Sequence, residues 1–142
     1  VAGDLHGRLA GVGRRLGERE AAHRQARQQA AARAAELREQ VAHGLAGYHE
    51  AIGAAQAGHL AVELGALRTD EKHARAVEFD LRRGRHRAIV TVKSRGEVTL
   101  VGPFRSGKNE GPCQSFPCDA GAALQEALGN FLEQFLEAAA TP

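Results

Sequence analysis

Two cysteines, seven histidines and a run of arginines are the residues of this 142-residue chain whose types could do chemistry. Cys113 and Cys118 have four residues between them. A structural zinc needs four ligands, so two more would have to come from elsewhere. His73 and His86 are the candidates, but nothing in the spacing requires that they meet the thiols. The pair therefore reads as reduced or buried thiols, with a disulfide conceivable only in an oxidising compartment, and no metal is expected. The remaining histidines are scattered; His43 and His49 lie six apart, which does not put them on one helix face. No nucleophile stands in a recognisable pattern with a base, and no acidic pair sits in an apolar run that would raise its pKa. The sequence thus predicts a protein that is not an enzyme and has no cofactor.

The basic cluster is what remains. Arg82, Arg83, Arg85, Arg87, Lys93, Arg95, Arg105 and Lys108 fall within 27 residues, with His86 among them. The formal charge of +2 hides a strong asymmetry. Residues 68–108 hold eleven basic and five acidic side chains, whereas residues 109–142 hold five acidic and no basic ones. Guanidinium groups suit paired hydrogen bonding to phosphate or carboxylate, so this cluster is the candidate anion-binding surface. A nucleic acid would be one such partner, bound with steep salt dependence. No aromatic residues are interleaved for base stacking. The competing expectation is that the arginines pair with the acidic C-terminal segment, within one molecule or across a dimer.

Within that region, Gly102-Pro-Phe-Arg-Ser-Gly107-Lys108-Asn109 follows an alternating apolar run and matches GxxxxGK. The eight residues resemble the phosphate loop of P-loop nucleotide enzymes, a likeness that implies phosphates cradled by backbone amides and reached by Lys108. Two departures count against it. Asn109 stands where a magnesium-holding Ser or Thr belongs, and Glu110-Gly111-Pro112 forbids the helix that should start there. The segment is instead expected to be a glycine-rich loop in which Arg105 and Lys108 extend the basic surface; a degenerate nucleotide site is the further alternative.

The elements that must position these groups are legible from periodicity. Val77, Phe79 and Leu81 alternate with Glu78, Asp80 and Arg82; Ala88, Val90 and Val92 repeat the pattern, and Val98 and Leu100 restart it. Short turns at Gly84 and at Ser94-Arg95-Gly96 join the runs, so the strands form an antiparallel meander with basic tips at both ends of the sheet. Leu60, Val62 and Leu64 alternate as a strand would, while Leu60, Leu64 and Leu67 fit a helix face; flanking glycines favour a fourth strand. Residues 113–116 can add a short edge strand. Asp119 is placed to cap a C-terminal helix whose stripe (Leu124, Leu128, Phe131, Leu132, Phe135, Leu136) is broad enough to cover one sheet face. Helix, three strands and helix in this order resemble the double-stranded-RNA-binding domain in topology alone. That module offers lysines to phosphates at the start of its last helix, where this chain reads Asp119-Ala-Gly-Ala-Ala.

Everything before the sheet reads as helix. Leu5, Leu9, Val12 and Leu16 are spaced four, three and four apart, the seam of a coiled coil. Gly3, Gly7 and Gly11 recur every four residues, a spacing at which two backbones could approach closely. Residues 18–43 are almost all strong helix formers with a stripe of alanines. From Leu37 the stripe strengthens through Val41, Leu45, Tyr48 and Ile52. Unbroken, residues 4–52 would span about 70 Å; a break at Gly44 and Gly47 would give a helical hairpin instead. The unbroken rod is the first expectation.

The reading is an α+β fold: a long N-terminal helical arm (1–57), then a small domain (58–142) in which a meander of three to four strands carries the C-terminal helix. The role expected is non-catalytic, as a scaffold or adaptor. Its helix-pairing seam, Leu5, Leu9, Val12, Leu16, Leu37, Val41, Tyr48 and Ile52, would join copies, a dimer being favoured, or receive a partner's helices. Nucleic acid is the alternative partner. No run approaches the about 20 apolar residues a bilayer requires. No apolar signal core opens the chain, so a cytoplasmic setting is expected. The absence of Met, position 1 included, points to a processed start or to a piece of a longer chain.

Overall fold

The computed structural model describes residues 2–70, 76–105, 107 and 111–140, with side chains from residue 4 onward. Its first element is one continuous helix, α1 (Ala2–Ala54). A single 3-10 turn (Gly58–Leu60) leads to two short edge segments, β1 (Glu63–Leu64) and β2 (Arg68–Thr69). The meander follows as β3 (Ala76–Arg83), β4 (His86–Lys93) and β5 (Glu97–Arg105). β6 (Cys113–Pro117) and α2 (Ala122–Ala140) complete the chain. The fold class is α+β, as the sequence predicts.

All pairings are antiparallel, in the order β1, β3, β4, β5, β6, with β2 also on β3. Among the described residues the sheet has six segments. β6 is the edge strand expected at 113–116. Of the strand expected over Leu60–Leu64 only Glu63–Leu64 pairs, as β1, its start lying in the 3-10 turn. β2, two residues long, is too short to carry a period of its own. Register confirms the predicted faces: Phe79 opposes Val90, Val90 opposes Leu100, and Val92 opposes both Val77 and Val98. This is the inner face, and both helices lie on it, α1 over β3 and β4, α2 over β4 and β5.

One core joins all three layers of sequence. Ala30, Ala34, Leu37, Val41 and Leu45 of α1 pack with Phe79, Leu81, Val90, Val92, Val98 and Leu100 of the sheet, and with Leu124, Leu128, Phe131 and Phe135 of α2. The core boundary therefore falls inside α1, upstream of the division at residue 57 that composition suggests. Gly44 and Gly47 do not break the helix. Both face solvent with nothing within 4 Å of where a Cβ would lie. Their helix penalty of about 1 kcal/mol each is small beside burial of Val41 and Leu45 on either side, at about 1.5–3 kcal/mol apiece.

The helix stops where the chain turns left-handed. Gln56 has φ 59°, Ala57 N–H donates to the Ile52 carbonyl at 2.7 Å, and Gln56 N–H to the Gly53 carbonyl at 3.1 Å. This paired closure is the Schellman motif, here with Gln where Gly is usual. At the other end of the chain, α2 starts at Ala122, three residues after Asp119. Gly121, with φ 57°, comes directly before it. Asp119 is thus too early to be its N-cap.

Candidate interaction surfaces

The helix-pairing seam divides in two. Leu37 and Val41 are fully buried against the protein's own sheet and are not free to meet a second helix. Tyr48 is half-buried and donates its hydroxyl to the Leu60 carbonyl at 2.7 Å, while neighbouring His49 accepts the Val62 N–H on Nε2 at 3.1 Å. Those bonds fasten the 3-10 turn to the helix, and Ile52 is half-buried at the same end. The other four seam residues have no cover. Leu5, Leu9, Val12 and Leu16 are 56, 60, 37 and 53 % exposed, and with Leu67 they are the exposed large hydrophobic side chains among the described residues. From residue 4 to residue 22 only Gly11 is even half-covered.

The physical cause is overhang. At 100° per residue, Leu5, Leu9, Val12 and Leu16 fall within the same arc of about 80° as Ala30, Ala34, Leu37, Val41, Leu45, Tyr48 and Ile52. One stripe runs the length of α1. The sheet underlies its second half and ends before its first. Gly7 and Gly11 lie on the opposite side of the helix by the same count, so the glycine row does not line the leucine seam.

Four residues of the basic cluster, Arg82, Arg87, Lys93 and Arg95, are engaged with carboxylates of the sheet. Asp80, 3 % exposed, is the hub. Its carboxylate lies 2.9 Å from an Arg87 terminal nitrogen and 3.4 Å from Arg82 Nε, and Arg82 also approaches Glu63 at 3.9 Å. Room for that carboxylate comes from Gly65 on the edge: a Cβ there would collide with an Asp80 oxygen. Gly65 also donates its N–H to the Asp80 carbonyl at 2.7 Å and accepts Arg38 Nε of α1 at 2.8 Å. Beside this hub Arg68 meets Glu78 at 2.8 Å, and the bond pushes the Arg68 pKa further up.

At the far end of the sheet Lys93 and Arg95 share Glu97, at 3.5 and 3.2 Å. Partial desolvation pushes the Glu97 carboxyl up, but the Ser115 hydroxyl, Arg95 and Lys93 outweigh it and hold the pKa below the ordinary value. Arg83 acts elsewhere. It donates to the Ala139 carbonyl at the C-terminus of α2 and, at 3.3 Å, to the His59 carbonyl. A cation suits a helix C-terminus, so this arginine ties together three elements. Arg85 and Arg105 are exposed and sit together at one sheet end, where His86 pairs with Arg105 across the ladder. Lys108 lies outside the described residues, as does His73. Among these contacts the arginines pair with carboxylates of their own sheet and with a helix-end carbonyl.

The GxxxxGK segment is strand through Arg105. Gly102, the first glycine of the match, is conformationally required: φ is 118°, and a Cβ would approach the Arg87 carbonyl oxygen to 3.0 Å and Ala88 Cα to 3.1 Å. It sits where the β4–β5 register shifts between Arg87 and Ile89. That glycine is required by the close approach of β4 and β5. Cys113 is exposed on β6 and Cys118 half-buried beside the core, both as free thiols. Burial pushes the Cys118 thiol up; Arg33 pulls it partly back, and Asp119 and Glu97 add to the rise. Among the described residues no three His, Cys, Asp or Glu side chains are grouped to hold a metal ion, and no helix is long and apolar enough to cross a membrane.

What sequence reasoning misses here is the Gly65–Asp80–Arg87 hub. Its one legible signal is Asp80 itself, an acid placed on the wet face of a strand between arginines. No protein-family model, curated protein or solved structure matches this chain.

Proposed function

We propose that this protein is a non-catalytic assembly module, in which the overhanging half of α1 joins copies or receives a partner's helix and the α+β body presents a docking surface. One observation carries the reading. Four large apolar side chains at coiled-coil spacing stand uncovered on a helix that projects beyond its own core. An isolated helix in water gains little from leucines it cannot bury. This segment also holds Gly7, Gly11, Gly13 and Gly17, each costing about 1 kcal/mol against alanine. Packing against a second helix supplies what the segment lacks. The setting assigned is the cytoplasm, in keeping with two free thiols. Light scattering across a concentration series tests the reading: the mass per particle rises with concentration in the native chain, and Leu9→Glu with Val12→Glu holds it at 15.1 kDa. A native chain that stays monomeric at the highest concentration removes the self-association.

A second reading keeps nucleic acid as the partner, on the ground that Arg85 and Arg105 stand exposed together at one sheet end. Gel shifts at low and moderate salt decide it, since binding through two or three phosphate contacts must weaken sharply as salt rises. No shift at low salt ends that reading.

A further inference from the structure

We infer that the occupant of the overhanging seam is the same seam of a second copy, running antiparallel, with the two bodies at opposite ends of the paired arms. The inference rests on the assembly reading above and adds the partner and its direction.

Direction follows from the single stripe. The face that carries Leu5, Leu9, Val12 and Leu16 is the face that sits on the sheet from Ala30 onward. A partner helix laid parallel and in register would continue along that face into the space filled by β3 and β4. The steric conflict excludes the parallel pair. An antiparallel partner avoids it. In antiparallel coiled coils each a position faces a d position of the other helix. With Leu9 and Leu16 at a, and Leu5 and Val12 at d, Leu5 faces the partner's Leu16 and Leu9 faces the partner's Val12. All four layers are then apolar on both sides. Paired positions add to 21, so residues 4–17 meet residues 4–17 of the partner, and the partner's sheet, which starts under its residue 30, stays clear of them.

The pairing is self-complementary, as a two-fold interface must be. The paired residues 4–17 carry three arginines and one acid, a net +2 per arm, so the copies repel at low salt and association tightens as salt screens that charge. Eight side chains make a small interface, under the about 1,200 Å² at which weak complexes sit, so the dimer separates on dilution.

Disulfide trapping in the full chain reads the direction. Cys113→Ser and Cys118→Ser remove the native thiols, and Leu5→Cys and Leu16→Cys are made separately on that background. Mixed under mild oxidation, the two variants are expected to form the Leu5→Cys–Leu16→Cys crosslink, several-fold ahead of either like-with-like crosslink. In the antiparallel pair two Leu5 positions lie about 17 Å apart along the axis, beyond disulfide reach. Like-with-like crosslinks in the lead overturn the direction and leave self-assembly standing. Dimers by light scattering with no seam crosslink overturn the seam as the contact, again leaving assembly intact. Particles of one chain throughout the concentration series bring down both.

Discussion

Asp80 shows how one residue can set what a surface is able to do. Its carboxylate is nearly inaccessible yet touches Arg87 and Arg82, so two members of the basic cluster spend their charge inside the molecule. Such a hub depends on the absence of a side chain at Gly65. Gly65→Ala would drive the carboxylate from its seat and strand a buried acceptor, a loss of about 1–3 kcal/mol. The expected outcome is a melting temperature lower by about 3–10 °C, while Gly58→Ala, in open space, changes it little. Glu97 gives a pH signature instead. Its pKa is lower folded than unfolded, so the stability it adds is present above the ordinary carboxylate value and disappears as pH falls through the folded one. The melting difference between the native chain and Glu97→Gln should therefore be steady near neutrality and close up in the acid range below about pH 4. A gap that persists at pH 3 would assign the effect to packing, not charge.

Among the elements, α1 shows where periodicity informs and where it stops. The spacing of its apolar residues yields the helix and its face. It does not say what covers that face, because Leu37 and Val41 over a sheet carry the same period as Leu9 and Val12 over nothing. The three central strands are legible for the opposite reason: alternation over eight or nine residues between short glycine turns admits one register. β1 and β2, two residues each, are fixed by pairing with β3 and by the Gly65 approach, neither of which leaves a local pattern. The basic turns were visible as charge, but their partners were not, since Asp80 and the Ala139 carbonyl become neighbours only through the fold. Gly44 and Gly47 raised the question of a hairpin because they look like breaks. In the folded helix they are exposed defects that neighbouring burial overrides. Replacing both with alanine should add about 0.5–1 kcal/mol each and raise the melting temperature; a fall would mean that the helix needs their flexibility.

For the whole molecule, the position of the core inside α1 separates two kinds of truncation. Residues 4–22 contribute no buried side chain. Beginning the chain at residue 23 removes the leucine seam and leaves every core residue in place, so the melting temperature should stay within a few degrees of the native value while self-association is lost. Beginning it at residue 58 would match a domain boundary drawn from composition. That cut deletes Ala30, Ala34, Leu37, Val41 and Leu45 and bares the inner side of β3 and β4. Three of those are Leu or Val, at about 1.5–3 kcal/mol apiece, and the exposed sheet face adds a comparable loss. The total rivals the about 5–15 kcal/mol by which a domain of this size is stable. Circular dichroism with urea titration distinguishes the outcomes: one cooperative transition for the chain from residue 23, and none for the chain from residue 58. A cooperative transition in the shorter chain would place the core in the sheet and α2 alone and make the second half of α1 part of the arm.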